Sequence, residues 1–377
     1  MLDHHYPRFS DVEMQRRHER LEALLAAEDL DAAVVYGADR SGSAIPWLTG
    51  WPVTREAALL VHPGERDLLY IQFHNHVPNA RRIAPRCDVQ WGGTSTVEAI
   101  CAALSARAAK RVGIIGPFRY QDHSQIQETV QHVVPLDRQY LAIRLVKSPE
   151  EVEWLRRGAF LSDQAVEALR VGLRPGMNEY ELGALAESAY VSQGGTTHIH
   201  YFGVTSMMNP QSFVPSQWPS GRVVDIGDVV TTEISASWWG YPGQVLRTMT
   251  VGVEPTSEYR KLHETAEATY EAILSAVEPG VHVSALVEVS GIIEDAGFTT
   301  CDDLVHGFGG GYLPPVLGSR SRPAGPIPDM VLEEGMTIVI QPNIISGRSG
   351  VQTGGLVYVT SAGAEELQGA PRGLWRV

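Results

Sequence analysis

Glu233 and Gln244 stand eleven residues apart, on either side of the turn Gly240-Tyr241-Pro242-Gly243. Val229, Thr231 and Glu233 alternate with Val230, Thr232 and Ile234, the period of two that marks a strand with two distinct faces. The spacing predicts two strands between Gly227 and Gly252. Their antiparallel pairing would bring a carboxylate and an amide into one site. The carboxylate offers proton transfer, and the amide a neutral grip on a polar group. Upstream, His198 and His200 alternate with Ile199 and so share a strand face. Hydrogen bonding is their ordinary use, and His200 is a candidate for substrate contact. Gly309-Gly310-Gly311 lacks the following Lys and Ser/Thr of a phosphate loop, so close backbone approach to a ligand is its expected use.

The elements that must hold these residues are legible along the chain. Apolar positions at helical spacing predict a helix over 11–29, with Asp11 as its N-cap. Short apolar runs predict strands at 32–37, 57–61, 67–73 and 111–116, the second and third joined as a hairpin over 62–66. Helices at 95–109 and 124–133 alternate with strands to about residue 140, the pattern of a small α/β domain. Ser148, Pro149, Glu150 and Glu151 then open a long helix to about 171. Ser148 caps it, Pro149 takes the first position, and the carboxylates suit the positive end of the dipole. After Pro175-Gly176, Asn178 and Glu181 start a second helix, which ends near Gly194. Strands follow to Gly252. The order then repeats, with helices at 257–276 and 283–296 and strands at 336–345 and 356–360, an internal duplication.

Bulk properties narrow the classes of function. A chain of 377 residues, 44% hydrophobic, can bury two substantial cores. A formal net charge of -14 argues against nucleic acid or an anionic membrane surface as a partner. Cys87, Cys101 and Cys301 are odd in number and far apart, which fits a reducing cytoplasm. The opening MLDHHYPRFS has no apolar h-region, so no signal peptide is expected, and no apolar run is long enough to span a membrane.

The stretch from Gly227 to Gly252 resembles the metal-binding core of the creatinase, aminopeptidase P and prolidase superfamily, whose fold is called pita-bread. The shared frame is Gly227-Asp228, Glu233, Gln244, Arg247-Thr248 and Val251-Gly252. Lys147-Ser148 and Pro175-Gly176 with Glu179 match as well, and the resemblance covers nearly the whole chain. It implies an α+β pita-bread catalytic domain over 144–377, built from duplicated halves of a helix pair and antiparallel strands. An N-terminal α/β creatinase-like domain over 1–143 precedes it.

Metal-dependent members of the superfamily use five ligands: Asp, Asp, His, Glu and Glu. The corresponding positions here are Glu233, Gln244, His306, Gln341 and Gly354. One carboxylate and one imidazole cannot offset two close divalent cations, so no metal and no cofactor is expected. A single metal at His198, His200 and His306 is the lesser alternative. Creatinase is a metal-free relative that cleaves a carbon–nitrogen bond with His and Glu, while arginines hold the carboxylate. Arg55 resembles the arginine that reaches the neighbouring subunit's site, which implies a homodimer. Creatinase's catalytic His appears here as Gln217, and Arg320 or Arg322 stands for its second carboxylate-binding arginine.

The expectation is therefore a metal-independent hydrolase cleaving a C–N bond of a small polar carboxylate. Glu233 and His306 would transfer protons, and Gln244 and Gln341 would donate to an oxyanion or grip the substrate. Further contacts would come from Arg55, His200, Gln217, Tyr241, Tyr312 and Arg320. Asp302 and Asp303 read as a solvated loop, and Trp238-Trp239 as core or site wall. Three other readings stay open: a lyase on a similar substrate, an Xaa-Pro-type metallopeptidase with Mn or Co, and a catalytically silent binding module. The chain ends soon after its last strand, without an appended tail, which favours an enzyme over the module.

Overall fold

The computed structural model describes residues 6–39 and 41–377. Half of the segment read for a signal peptide, residues 1–5, lies outside the described residues. Among those described, no helix is long and apolar enough to cross a membrane. The chain divides into two units, Met1–Arg144 and Leu145–Val377.

The first unit is a six-stranded mixed sheet with helices on both faces. Its strands are β1 (Ala32–Ala38), β2 (Glu56–Val61), β3 (Leu68–Ile71), β4 (Asp88–Trp91), β5 (Arg111–Ile115) and β6 (His132–Pro135). Their order is β4-β3-β2-β1-β5-β6. The hairpin predicted over 62–66 is present as antiparallel β2–β3. The helices are α1 (Asp11–Ala27), α2 (Ala44–Thr49), α3 (Val77–Ile83), α4 (Thr96–Ala106), α5 (Tyr120–Thr129) and α6 (Asp137–Ile143). The N-cap of α1 is Ser10 rather than Asp11, because the Ser10 hydroxyl accepts from the Glu13 amide at 3.1 Å. Strand residues alternate between two apolar clusters, Ala33, Val35 and Leu59 on one face and Val34, Leu60 and Ile114 on the other.

The second unit opens on α7 (Pro149–Gly172), where Ser148 and Glu151 form a capping box, and α8 (Glu179–Ser188), where Asn178 and Glu181 form another. Three long antiparallel strands follow: β7 (Thr196–Ser206), β8 (Asp228–Trp238) and β9 (Tyr241–Thr250). The repeat then begins with α9 (Ser257–Ala276). The helix expected at 283–296 is broken at Ser290–Gly291 into α10 (Ser284–Val289) and α11 (Ile292–Asp295). Nine further strands complete the unit: β10 (Thr299–Thr300), β11 (Val305–Phe308), β12 (Tyr312–Leu317), β13 (Thr337–Ile340), β14 (Ile344–Ser346), β15 (Ser349–Gly350), β16 (Gly354–Thr360), β17 (Gly363–Glu366) and β18 (Leu374–Arg376). The main sheet runs β12-β11-β13-β16-β9-β8-β7.

Two features of this sheet position the site. The halves meet along β16–β9 through a short pairing, Gly354 opposite Leu246 and Gly355 opposite Val245. The β8–β9 hairpin is held from behind by α7. There a side chain at Gly158 or Gly243 would collide with the facing backbone, and Ser162 Oγ donates to the Gly243 carbonyl. Each half closes its own apolar core, one around Leu161, Val166, Phe202 and Val245, the other around Leu262, Ile273, Ile338 and Val357.

Candidate functional site

The alternation that predicts β8 also fixes which of its residues share a face. Glu233 and Ser235 lie on one face, opposite Leu246 and Gln244 of β9, so Gln244 reaches Glu233 along the diagonal. Gln244 Nε2 donates to Glu233 Oε1 at 3.0 Å and to Gln341 Oε1 at 2.8 Å. Gln341, just past the end of β13, donates through Nε2 to the Asp303 carbonyl at 3.1 Å. Both hydrogens of the Gln244 amide are therefore committed within the chain. The expectation that Gln244 donates to an oxyanion is corrected on that ground.

Glu233 opens onto a cavity of about 280 Å³, bounded also by Tyr201, Gln217, Cys301, Asp302 and Gln352. Burial, and then the negative charges of Asp302 and Asp303, push its carboxyl up to about 7. The side chain of Asp302 is raised to about 6, by burial and by Asp303. These aspartates are thus not a purely solvated loop. Asp302 lines the cavity, and Asp303 accepts from the Tyr312 hydroxyl at 2.6 Å.

His306 is fully buried on β11, and burial pushes its imidazole down to about 4. Nδ1 donates to the Gly307 carbonyl at 3.1 Å, which fixes the tautomer and leaves Nε2 as the acceptor. Nε2 makes no hydrogen bond, although the Gln341 side chain lies beside it. The Tyr312 ring stacks on the imidazole with centroids 3.9 Å apart. His306 is neutral near pH 7, and its hydrogen bonds do not include Glu233. Glu233 is bonded to Gln244 while His306 Nε2 is unpaired, so no hydrogen-bonded path links the two groups expected to transfer protons.

Three sequence-predicted contacts are turned elsewhere. His200 pairs in register with Ile234, on the face opposite Glu233. Its Nε2 meets the Tyr190 hydroxyl at 3.1 Å, and burial lowers its pKa to about 4. Tyr241 is buried and donates to Glu151 Oε1 at 2.8 Å. Arg320 packs against Gly291 and donates to the Glu288 carbonyl at 2.6 Å, so it serves the break between α10 and α11. Gln217 does line the Glu233 cavity. Arg55 is exposed in the first unit, one residue before β2.

Sequence reasoning missed Tyr201, Asp302 and Gln352. Tyr201 stands directly opposite Glu233 on β7. Gln352 is only 2% exposed, and its backbone and the Thr248 hydroxyl exchange hydrogen bonds at 2.7 and 2.8 Å. The available signal for Gln352 was a glutamine two residues before Gly354, in a stretch already singled out.

Comparison with known proteins decides the family. The description "Metallopeptidase family M24" matches residues 153–361, more than half of the chain. The chain belongs to metallopeptidase family M24. Its first unit matches the Creatinase/Prolidase N-terminal domain over residues 17–146, and its second has the pita-bread α+β fold. This M24 chain is 22% identical to the uncharacterized peptidase YqhT of Bacillus subtilis, over 94% of this chain and 98% of that protein. It is 26% identical to the Xaa-Pro dipeptidase of Pyrococcus furiosus, over 70% and 75%. Among solved structures it superposes on an Xaa-Pro dipeptidase from Bacillus anthracis with a TM-score of 0.83 at 21% identity, covering 97% of this chain and 100% of that one. These relatives overturn the expectation of a creatinase-like, metal-independent hydrolase of a small polar carboxylate, because the family and its named members are peptidases.

The family implies a metal centre, and the M24 chain's donors can be tested against it. Among the described residues, no three of His, Cys, Asp and Glu are grouped to hold a metal ion. Gln244 and Gln341 bring no charge, and their amides are bonded to each other. At Gly354 a Cβ would collide with the Ile340 carbonyl and approach Gln341 Cα to 3.0 Å, so the backbone there excludes a carboxylate side chain. The residues present do not fit a bridged pair of divalent cations.

Proposed function

We propose that this chain hydrolyses the amide bond of short peptides of the Xaa-Pro kind, in the cavity beside Glu233. The observation that carries the reading is Glu233 itself. It is a partly buried carboxyl on a rigid hairpin, opening onto a cavity at the small end of ligand pockets, with its pKa at about 7. M24 membership and the Xaa-Pro dipeptidases among its relatives support the substrate class. Gln244 holds Oε1, leaving Oε2 to take a proton from attacking water and return it to the leaving nitrogen. Tyr201 and Gln217 bound the substrate, and the Tyr312 ring keeps His306 in place.

A homodimeric, cytoplasmic enzyme belongs to the same proposal. The exposed guanidinium of Arg55 suits a substrate carboxylate in a second copy, and Cys87, Cys101 and Cys301 are unpaired. The test is a panel of Xaa-Pro dipeptides, with and without added Mn²⁺, assayed for free proline. Proline release is expected from a subset of the panel. Release from none, under either condition, removes the reading.

A further inference from the structure

We infer that Gln368 is a positioning residue for Glu233: its side-chain amide stands in for a backbone bond between β9 and β16, and so keeps Gln244 between Glu233 and Gln341. The inference rests on Glu233 being the proton-transferring group proposed above, and adds the residue that braces its partner from behind.

The two halves of the domain meet where β16 pairs with β9, Gly354 opposite Leu246 and Gly355 opposite Val245. The next pair in that antiparallel register is Leu356 with Gln244. There the strands are joined through a side chain. Gln368 Oε1 accepts from the Leu356 amide at 2.6 Å, and Gln368 Nε2 donates to the Gln244 carbonyl at 3.0 Å. The carboxamide has one donor side and one acceptor side, and acts here as a peptide unit inserted into the sheet. From Val357 onward the same edge of β16 passes to β17, with Val357 opposite Glu366. Gln368 is the wedge at that fork.

The surroundings are built for this amide. Gly355 leaves it room, since a Cβ there would lie 2.7 Å from Gln368 Oε1. The backbone after Gln368 is fixed from two elements. The Gly369 amide donates to Asp163 Oδ2 of α7 at 2.6 Å. Arg247 of β9, itself buried, donates to the Ala370 carbonyl at 2.6 Å and to the Pro371 carbonyl at 3.1 Å.

The consequence falls on Gln244. Pairing with β8 sets its main chain beside Glu233. Its other partner, Gln341, follows β13, and β13 reaches β9 through β16. The 2.8 Å bond from Gln244 to Gln341 therefore depends on the separation of β9 from β16, which Gln368 sets. If that separation changes, the Gln244 amide loses one of its two acceptors and can turn away from Glu233. A catalytic group misplaced by about an ångström loses on the order of a hundredfold in rate.

Gln368→Met keeps the length of the side chain and removes both hydrogen bonds. In a crystal structure of the full-length variant, Gln244 is expected to have moved out of hydrogen-bonding range of Glu233, of Gln341 or of both. On the Xaa-Pro dipeptide that wild type cleaves best, kcat should fall about tenfold or more while KM stays within about twofold. In a Glu233→Gln background the same substitution should leave kcat unchanged, because the group being positioned is gone. A residue that merely supports the fold lowers kcat in both backgrounds. If Gln368→Met does not fold, Gly355→Ala, which crowds Gln368 Oε1 from β16, carries the same measurements. Gln244 still bonded to both partners, a wild-type kcat, or an equal loss in the Glu233→Gln background overturns the inference. Proline release from no dipeptide removes the peptidase reading alone, and the crystal structure then decides whether Gln368 places Gln244. Proline release by Gln368→Met at the wild-type kcat removes this inference alone.

Discussion

Gln244 donates through Nε2 to Gln341 Oε1 across 2.8 Å, and this bond joins the two halves of the duplicated domain at the floor of the site. The same nitrogen holds Glu233 at 3.0 Å. Removing the amide would leave two buried acceptors unsatisfied. Gln244→Leu is expected to cost about 1–3 kcal/mol of folding stability, read from denaturant unfolding curves. A variant as stable as wild type would show that the bridge is dispensable.

Glu233 gives the fold a signed pH dependence. Folding raises its carboxyl from the ordinary value of 4.5 to about 7. Between these values the folded chain binds more protons than the unfolded chain. The contribution of Glu233 to stability is therefore expected to fall as pH rises across that window and to level off above about 7, while His200 and His306, lowered to about 4 by burial, contribute the opposite slope below about 6.5. The difference in stability between wild type and Glu233→Gln should isolate that contribution and shrink as pH rises to about 7, because Asp163 and Asp302, raised to about 6, and the two histidines are common to both chains. Denaturant midpoints measured across the window check both slopes.

Gly354 stands where the resemblance to the metal-dependent members of the superfamily implies a carboxylate. Gly354→Glu restores the residue type but not the room, since the new Cβ meets the Ile340 carbonyl. The variant is expected to lose about 1–3 kcal/mol, as overpacked sites do. Elemental analysis should find no stoichiometric pair of metal ions in it. A stable variant that binds two metals would show that the backbone yields easily.

Arg320 is tied to the Glu288 carbonyl and packed on Gly291. Arg320→Ala is accordingly expected to change kcat/KM by no more than about twofold, the scale of ordinary surface substitutions. A rise in KM by an order of magnitude would return Arg320 to the substrate.

What the sequence made legible was local. The capping boxes at Ser148 and Asn178 and the β2–β3 hairpin depend on neighbours a few residues apart. The Glu233–Gln244 contact is also local, because one tight turn sets its register. His200 was misplaced for the opposite reason. Strand β7 pairs with β8 across a long connection, and the unbroken register from Ser206 opposite Asp228 to Ile199 opposite Ser235 sets Tyr201 rather than His200 against Glu233. Asp302 and Gln352 enter the cavity from segments far apart in the chain, and neither type nor spacing announces that meeting. Tyr241 and Arg320 were chosen for their chemistry, but a nearby helix claims each of them.

The most direct measurement is kcat/KM for wild type and Glu233→Gln on whichever Xaa-Pro dipeptide wild type cleaves best. Wild-type kcat/KM is expected to rise with pH through about 7, as Glu233 ionises. The variant should be slower by roughly a hundredfold or more, with that rise abolished. A variant that cleaves at the wild-type rate with the same pH profile would contradict the assignment of Glu233 as the proton-transferring group.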